Sequence, residues 1–193
     1  MYETSHSDYP WLTRQANEIL QSWLRKTDVG LEWGAGRSTV WFSKRVANLT
    51  SVEHDLVWYE KVKAQIAVHG IGNVHLCPIK LPLTLDKSQS NPYVAIVDSF
   101  PNNGLDFVLV DGKYRIECTF KVLNKIKPGG LLIIDNINLF LPSDSHSPNS
   151  RNKCAGPSSK EWLLLANMLS SWRCMCIWTS NGVNDTAIWV KPA

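Results

Sequence analysis

The stretch LEWGAGRST at residues 31–39 decides the fold class, because it joins a short strand to a glycine-rich turn. Gly34 and Gly36 stand in the turn, and the residues after them begin a helix. Such a turn places backbone N–H groups and a helix N-terminus at the carboxyl end of a strand, where a ligand can approach closely. In open α/β sheets ligands bind at that edge. The sequence therefore predicts a binding site at this turn.

Outward from the turn, strand segments alternate with helical segments. We predict seven strands, at residues 31–33, 49–53, 73–79, 105–110, 131–134, 174–179 and 187–190. Residues 93–100 are compatible with either a short helix or a strand. The alternation predicts an α/β fold with a doubly wound, mostly parallel seven-stranded sheet, helices on both faces and a C-terminal antiparallel hairpin.

Length and composition are typical of one domain. The chain has 193 residues, of which 44% are hydrophobic and 19% charged, and no boundary or repeat is apparent, so we expect a single domain over 1–193. Residues 1–28 are expected to form an N-terminal helical cover, whose helix is predicted to begin at Pro10, since the fixed φ of proline suits a first helical position. Residues 136–160 are rich in Ser, Pro and Asn, and a loop this long is usually functional, so we expect it on the substrate side.

Several partner classes are disfavoured by charge and hydropathy. A formal net charge of +3 is too mild to predict a nucleic-acid partner. No apolar run approaches the ~20 residues that span a bilayer, and the first residues do not resemble a secretory signal. The five cysteines show no metal-ligand spacing, which favours free thiols and a cytoplasmic protein. Nothing in the sequence indicates an oligomeric state.

Three interpretations of the turn compete. A P-loop requires an earlier glycine and a lysine, but Leu31 takes the glycine position and the lysine is missing. A dinucleotide-binding fingerprint requires a third glycine, where this chain has Thr39. The third interpretation needs an acid two residues before the first glycine, and Glu32 satisfies it.

Four segments together resemble the class I S-adenosylmethionine-dependent methyltransferases. EWGAG at 32–36 matches motif I, SVEH at 51–54 the end of the second strand, FVLVD at 107–111 motif IV, and KPGGLLIID at 127–135 the turn and fifth strand. The resemblance covers residues 29–136. It implies a Rossmann-like fold and an enzyme that transfers a methyl group from S-adenosylmethionine.

The resemblance also implies which residues hold the cofactor. The turn would hold the methionine part, and Glu53 would accept hydrogen bonds from both ribose hydroxyls, which suits an acceptor-only carboxylate. The residues expected to contact S-adenosylmethionine are Glu32, Gly34, Ala35, Gly36, Ser38, Thr39, Glu53, His54 and Asp111. No acid or amide follows the third strand to recognise the adenine amino group, so adenine recognition is not assigned.

Polar residues after the fourth and fifth strands suggest a further site. Asp111, Asp135 and Asn136 would meet at one sheet edge and offer oxygen ligands suited to Mg²⁺ or Ca²⁺. This resembles the metal-dependent catechol-type O-methyltransferases, whose base is a lysine three residues after the first aspartate. Here Lys113 follows by two. Asp111 and Lys113 are the candidate catalytic residues, and a purely local structural role for the acids stays open.

The resemblance favours methyl transfer to a small-molecule acceptor, with an oxygen atom as nucleophile. A non-catalytic binding protein with a methyltransferase-like fold is the main alternative, and an NAD-dependent oxidoreductase is a third. The chain also has nine tryptophans. Trp33 lies in the turn, and Trp41 and Trp58 are predicted on helices next to it. Trp11 and Trp33 are the two that we expect to sense cofactor binding, since indole suits the edge of a ligand site.

Overall fold

The computed structural model describes residues 8–81, 91–172 and 176–193, and its centre is one seven-stranded sheet. The strands are β1 (Val29–Trp33), β2 (Asn48–Glu53), β3 (Val74–Pro78), β4 (Leu105–Val110), β5 (Ile126–Asp135), β6 (Cys176–Ser180) and β7 (Asp185–Val190). Their spatial order is β3-β2-β1-β4-β5-β7-β6. The first five are parallel, and β7 runs antiparallel to both β5 and β6. The predicted α/β sheet and C-terminal hairpin are confirmed.

Six α-helices connect the described strands: α1 (Arg14–Trp23), α2 (Arg37–Ser43), α3 (Leu56–Val68), α4 (Pro92–Ala95), α5 (Arg115–Val122) and α6 (Lys160–Leu169). Short 3-10 turns follow at Ile96–Ser99 and Ile137–Leu139. Residues 93–99 are therefore helical rather than extended, and Phe100 ends the turn in an extended conformation. The Asn91 side chain accepts from the Tyr93 N–H and begins α4. None of the helices in the described ranges is both long and apolar enough to cross a membrane.

The first helix begins later than the sequence predicts. Pro10 was the expected start, but the Thr13 hydroxyl accepts from the Ala16 N–H and caps a helix that begins at Arg14. Thr13 is fixed from far along the chain, because its N–H donates to the Thr186 hydroxyl at 3.2 Å. Residues 10–12 are thereby left outside the helix.

Side chains of β4 show how the core is divided. Phe107 and Leu109 face one side of the sheet, where they pack with buried residues of α1 and α2. Val108 and Val110 face the other side, among buried residues of α5 and α6. This strand is buried on both faces, as is usual for parallel sheets covered by helices.

The chain changes direction between β1 and β4. From β1 it proceeds outward to β2 and β3, and it then returns to place β4 on the other side of β1. The loops after β1 and β4 therefore diverge at their carboxyl ends, which is where open α/β sheets bind ligands. Residues 34–36 and 111–114 face each other there.

The long loop predicted over residues 136–160 is tied to the C-terminal hairpin. Asp185 is fully buried, and its Oδ1 accepts from the Ser145 and Ser147 hydroxyls at 3.0 and 2.7 Å. Its Oδ2 accepts from the Trp178 indole at 2.8 Å. These three donors satisfy a buried carboxylate and fix the loop against β6 and β7.

Candidate active site

A cavity of about 370 Å³ lies at the carboxyl edge of the sheet, between the turn after β1, the ends of β2 and β4, and residues 10–12. Its size is in the range of small-molecule pockets. Most of the residues expected to contact the cofactor line it: Gly34, Ala35, Gly36, Ser38, Glu53, His54 and Asp111. Glu32 and Thr39, the two others, are fully buried and do not line the cavity.

Glu32 holds the turn from below. Its Oε1 accepts from the Ser51 hydroxyl at 2.7 Å and from the Thr39 hydroxyl, which in turn accepts from the Gly36 N–H at 2.9 Å. Oε2 has no hydrogen-bond partner among the described residues, although the side chain is fully buried. Burial raises the pKa of Glu32 to about 7, against the lowering effect of these hydrogen bonds. An unused, buried acceptor therefore lies beneath the turn.

Gly34 brings the backbone of β1 against that of β4. Its φ is +100°, a conformation that glycine adopts readily, and a Cβ here would lie 2.9 Å from the Asp111 carbonyl oxygen. The turn is fixed further by Trp58, whose indole N–H donates to the Ala35 carbonyl at 2.6 Å. The backbone of the turn at residues 34–36 is thus fixed at a place where ligand atoms can approach it closely.

Glu53 presents one free oxygen to the cavity. The residue is 4% exposed, and its Oε1 accepts from the N–H groups of His54 and Asp55, both at 2.8 Å. The structure shows no hydrogen bond to Oε2 within its described ranges. A carboxylate fixed through one oxygen leaves the other available to hydroxyl donors.

Asp111 is a carboxyl group of the cavity whose pKa is raised well above its usual range. Its side chain is 30% exposed, and Oδ1 accepts from Arg115 Nη2 at 2.9 Å. Burial, followed by the nearby Asp135 carboxylate, raises the pKa of Asp111 to about 7, against the influence of Arg115. Lys113, the other candidate catalytic residue, also lines the cavity, but it is exposed.

The residues expected to bind a metal ion already have partners within the chain. The Asp135 carboxylate is 4% exposed and accepts from the Thr186 hydroxyl at 2.6 Å, while the Asn136 amide oxygen accepts from Arg115 Nη2 at 3.0 Å. A guanidinium thus lies among the oxygens that were expected to face a metal. No group of three or more His, Cys, Asp or Glu suited to a metal occurs among the described residues. This arrangement does not fit a metal ion.

Tryptophans line the cavity, but not both of the expected ones. Trp11 is 53% exposed; its ring centroid lies 6.1 Å from that of Trp58, and Arg37 lies 5.0 Å from the Trp11 centroid. Trp33 was expected here wrongly. It is fully buried, and its indole N–H donates to the Tyr93 carbonyl at 2.8 Å.

Sequence reasoning missed the ion pair of Arg115 and the hydrogen bond from Trp58 to the turn. Arg115 stands four residues after Asp111, but Asp111 precedes α5, so helical spacing gave no signal for the ion pair. The hydrogen bond of Trp58 carried no signal either, because it depends on how α3 lies beside α2.

The sheet order, the antiparallel β7 and the cavity at the switch point together define a fold class. This is the fold of the class I S-adenosylmethionine-dependent methyltransferases.

Solved structures carry the same fold at low sequence identity. A proposed methyltransferase of Streptococcus mutans, solved in complex with SAH, is 12% identical, with a TM-score of 0.63 over 92% of this chain and 96% of the other. An rRNA methylase of Streptococcus thermophilus is 12% identical, with a TM-score of 0.62 over 95% and 100%. A SAM-dependent methyltransferase of Aquifex aeolicus is 12% identical, with a TM-score of 0.56 over 98% and 97%. No family model and no curated protein matches the sequence.

Proposed function

We propose that the protein transfers a methyl group from S-adenosylmethionine to an oxygen nucleophile of a small-molecule acceptor. One observation carries the proposal: three features line one cavity at the carboxyl edge of the sheet. They are the glycine turn, the Glu53 carboxylate, which is bonded through Oε1, and Asp111, whose pKa is raised to about 7. The methyltransferase fold of the solved structures supports it.

The residues present fit the cofactor. Gly34 lets a ligand approach where a Cβ would meet the Asp111 carbonyl, Glu32 is buried beneath the turn and holds it through Thr39, and Glu53 Oε2 can accept from ribose hydroxyls. Gly36, Ser38 and His54 would complete the contacts along the turn and the end of β2. When bound, S-adenosylmethionine supplies a methyl carbon on a positively charged sulfur.

The chain's own contribution is to orient the acceptor and to take up its proton. The ionised Asp111 carboxylate would accept the proton of the acceptor hydroxyl. As the oxygen bonds to the methyl carbon, the bond from that carbon to sulfur would break and SAH would leave. A pKa near neutrality is suited to this role. Residues 10–12 line the cavity and cover the reacting region. There they hold the acceptor oxygen in line with the methyl group, and such positioning lowers the barrier to transfer. Residues 136–160 are proposed to lie on the acceptor side.

Calorimetry tests the proposal first. SAH should bind with a micromolar dissociation constant, and NADH should not bind, which separates this function from an oxidoreductase. Glu53→Ala should weaken SAH binding by about a hundredfold or more, whereas Glu60→Ala, at an exposed carboxylate of α3, should leave it intact. A folded protein that does not bind SAH contradicts the proposal.

An RNA acceptor is the second candidate. Two of the solved structures with this fold are described as rRNA methylases, one of them as putative, and a half-exposed tryptophan beside an arginine suits base stacking. Incubating the protein with isotope-labelled S-adenosylmethionine and a cell extract separates the two. Label in the small-molecule fraction supports the first proposal, and label in ribosomal RNA supports the second. SAH binding without any labelled product would indicate a non-catalytic binding protein.

We also propose a cytoplasmic location. Cys77, Cys118, Cys154 and Cys176 form no disulfide within the part of the chain that the structure describes, as expected in a reducing compartment. Cys174 lies outside that part. Fluorescence microscopy of a tagged chain in its native cell would test this.

A further inference from the structure

Arg115 joins the carboxyl ends of β4 and β5. Its side chain is 15% exposed, and Nη2 donates to the Asp111 carboxylate at 2.9 Å and to the Asn136 amide oxygen at 3.0 Å. The guanidinium also donates to three main-chain oxygens: those of Asp111 at 3.2 Å, Gly112 at 3.1 Å, and Asp135. Five oxygen atoms from two loops therefore surround one fixed positive charge.

The backbone of both loops is shaped around this charge. Tyr114 and Asn136 have φ angles of 51° and 50°, a left-handed conformation that is uncommon outside glycine. One lies directly before Arg115, and the other directly after Asp135. Strain of this kind persists where the surrounding contacts hold it in place, and at Asn136 one such contact is the hydrogen bond from the guanidinium.

Arginine can replace a bound cation at this position. Its guanidinium stays charged at all relevant pH values and has five N–H donors in a fixed plane. The oxygens around it are of the carboxylate, amide and carbonyl types that Mg²⁺ and Ca²⁺ prefer. A divalent ion would have to displace the guanidinium, since both cannot use the same Asp111 and Asn136 oxygens.

We propose that Arg115 takes the place of a divalent cation between β4 and β5, so that the site works without a metal ion. The guanidinium orients Asp111 toward the cavity and neutralises the acidic strand ends. Arg115 is thus a positioning residue. Only the activity measurement below rests on the proposed methyl transfer; the metal-binding measurements do not.

Wild-type protein provides the first test, with Mn²⁺ as the probe. The electron paramagnetic resonance signal of free Mn²⁺ should be the same with and without the protein, and labelled methyl transfer should be unchanged by EDTA or by added Mg²⁺. The proposal is overturned if the protein removes the free Mn²⁺ signal and Asn136→Ala restores it. It is also overturned if EDTA abolishes transfer and Mg²⁺ restores it.

Arg115→Ala provides the second test. Removing the guanidinium should leave its oxygen acceptors open, so the variant should bind Mn²⁺ at least about tenfold more tightly than wild type. Lys121→Ala, which frees the single exposed carboxylate of Asp98, should not gain Mn²⁺ binding. A folded Arg115→Ala that gains none contradicts the proposal. If this variant does not fold, the wild-type Mn²⁺ and EDTA measurements decide alone.

Discussion

The two ends of β4 each carry an aspartate, and the chain uses them differently. At the amino end, Asp106 accepts from the Val29 N–H at 2.8 Å, and both its oxygens lie 2.8 Å from Lys127 Nζ. At the carboxyl end, the Asp111 carboxylate accepts only from Arg115, through Oδ1, within the described ranges. Both oxygens of Asp106 therefore help to hold strands together, whereas Oδ2 of Asp111 stays available to the cavity.

The same difference extends across the sheet. At the amino edge, Lys191 Nζ donates to the carbonyls of Ile126 and Leu123 at 2.7 and 3.1 Å. At the carboxyl edge, Glu32 Oε2 and the Tyr93 hydroxyl are buried without a partner among the described residues. Buried polar groups without partners cost free energy of folding. Among the described residues, the comparison indicates that these amino-edge groups are paired, whereas two fully buried polar groups at the carboxyl edge are not.

The largest expected effect separates the edges directly. Glu53→Ala should weaken SAH binding by about a hundredfold or more, because hydrogen bonds to a charged group are each worth about 1.5–3 kcal/mol. Asp106→Ala should leave SAH binding unchanged and lower the free energy of unfolding by about 1–3 kcal/mol, since it leaves the Val29 N–H unpaired. Calorimetry and urea denaturation of both variants measure the two effects.

Glu53→Gln refines this experiment. The amide keeps one acceptor oxygen for the His54 and Asp55 N–H groups, so it should fold as stably as wild type while still losing most of the affinity. If Asp106→Ala instead weakens SAH binding as much as Glu53→Ala does, the division between the two edges is wrong.

The second effect concerns close packing at the carboxyl edge. A Cβ at Gly112 would lie 1.9 Å from the Tyr93 hydroxyl oxygen, so Gly112→Ala should lower the free energy of unfolding by about 1–3 kcal/mol. Tyr93→Phe removes that oxygen and should recover most of the loss in the double variant, because the next nearest atom is 3.1 Å away. Thermal denaturation of the four proteins measures the coupling.

Gly72→Ala is the matched control, since nothing lies within 4 Å of a Cβ there. It should leave the melting temperature within a degree or two of wild type. Additive losses from Gly112→Ala and Tyr93→Phe would show that the hydroxyl does not cause the clash.

The fold was largely predictable because its signals are local. The carboxyl ends of β1 and β4 could be predicted, because an apolar run stops at the glycine turn in β1 and at Asp111 in β4. The start of α1 was wrong because Pro10 and Thr13 are both start signals, and a contact with Thr186 on β7 favours Thr13. Sequence neighbours do not encode such a contact.

The site was predictable where a motif fixed a backbone position. Glu53 and the glycine turn lie at the cavity as expected, while their contacts with the cofactor stay a prediction. The partner of Asp111 was not predicted, because a metal ion and Arg115 are equally compatible with the spacing of the acids. The wrong expectation that Trp33 lies at the cavity could have been avoided. Trp33 follows Glu32 on a strand, and successive strand residues face opposite sides of the sheet.

The third effect is a dependence of stability on pH that comes from the carboxyl edge. Burial raises the pKa of Glu32 and Asp111 to about 7 and that of Asp135 to about 6. A raised pKa means that the folded state holds its proton more tightly, so this stabilisation is complete below about pH 4 and is lost as the pH rises toward 7. The free energy of unfolding should therefore fall from pH 5 to pH 7, by at most about 1.4 kcal/mol per pH unit for each group.

Glu32→Gln should flatten this slope, and Glu60→Gln, at an exposed position, should not. Methyl transfer should change in the opposite direction, rising through pH 7 as Asp111 ionises to accept the proton. Stability that rises from pH 5 to pH 7 in the wild type would mean that these carboxyl groups are not held in the buried state described above.

The smallest effect concerns the wall of the cavity. Trp11 is half-exposed at the cavity, whereas Trp33 is buried and bonded to Tyr93, so only the first should sense a ligand. SAH should quench the tryptophan fluorescence of the wild type, and Trp11→Phe should lose much of the quench while its affinity changes by less than about 1 kcal/mol. Trp23→Phe, an exposed tryptophan away from the cavity, should keep the full quench. A quench that survives Trp11→Phe unchanged would mean that residues 10–12 do not close over the bound ligand, and that the carboxyl edge binds through the sheet loops alone.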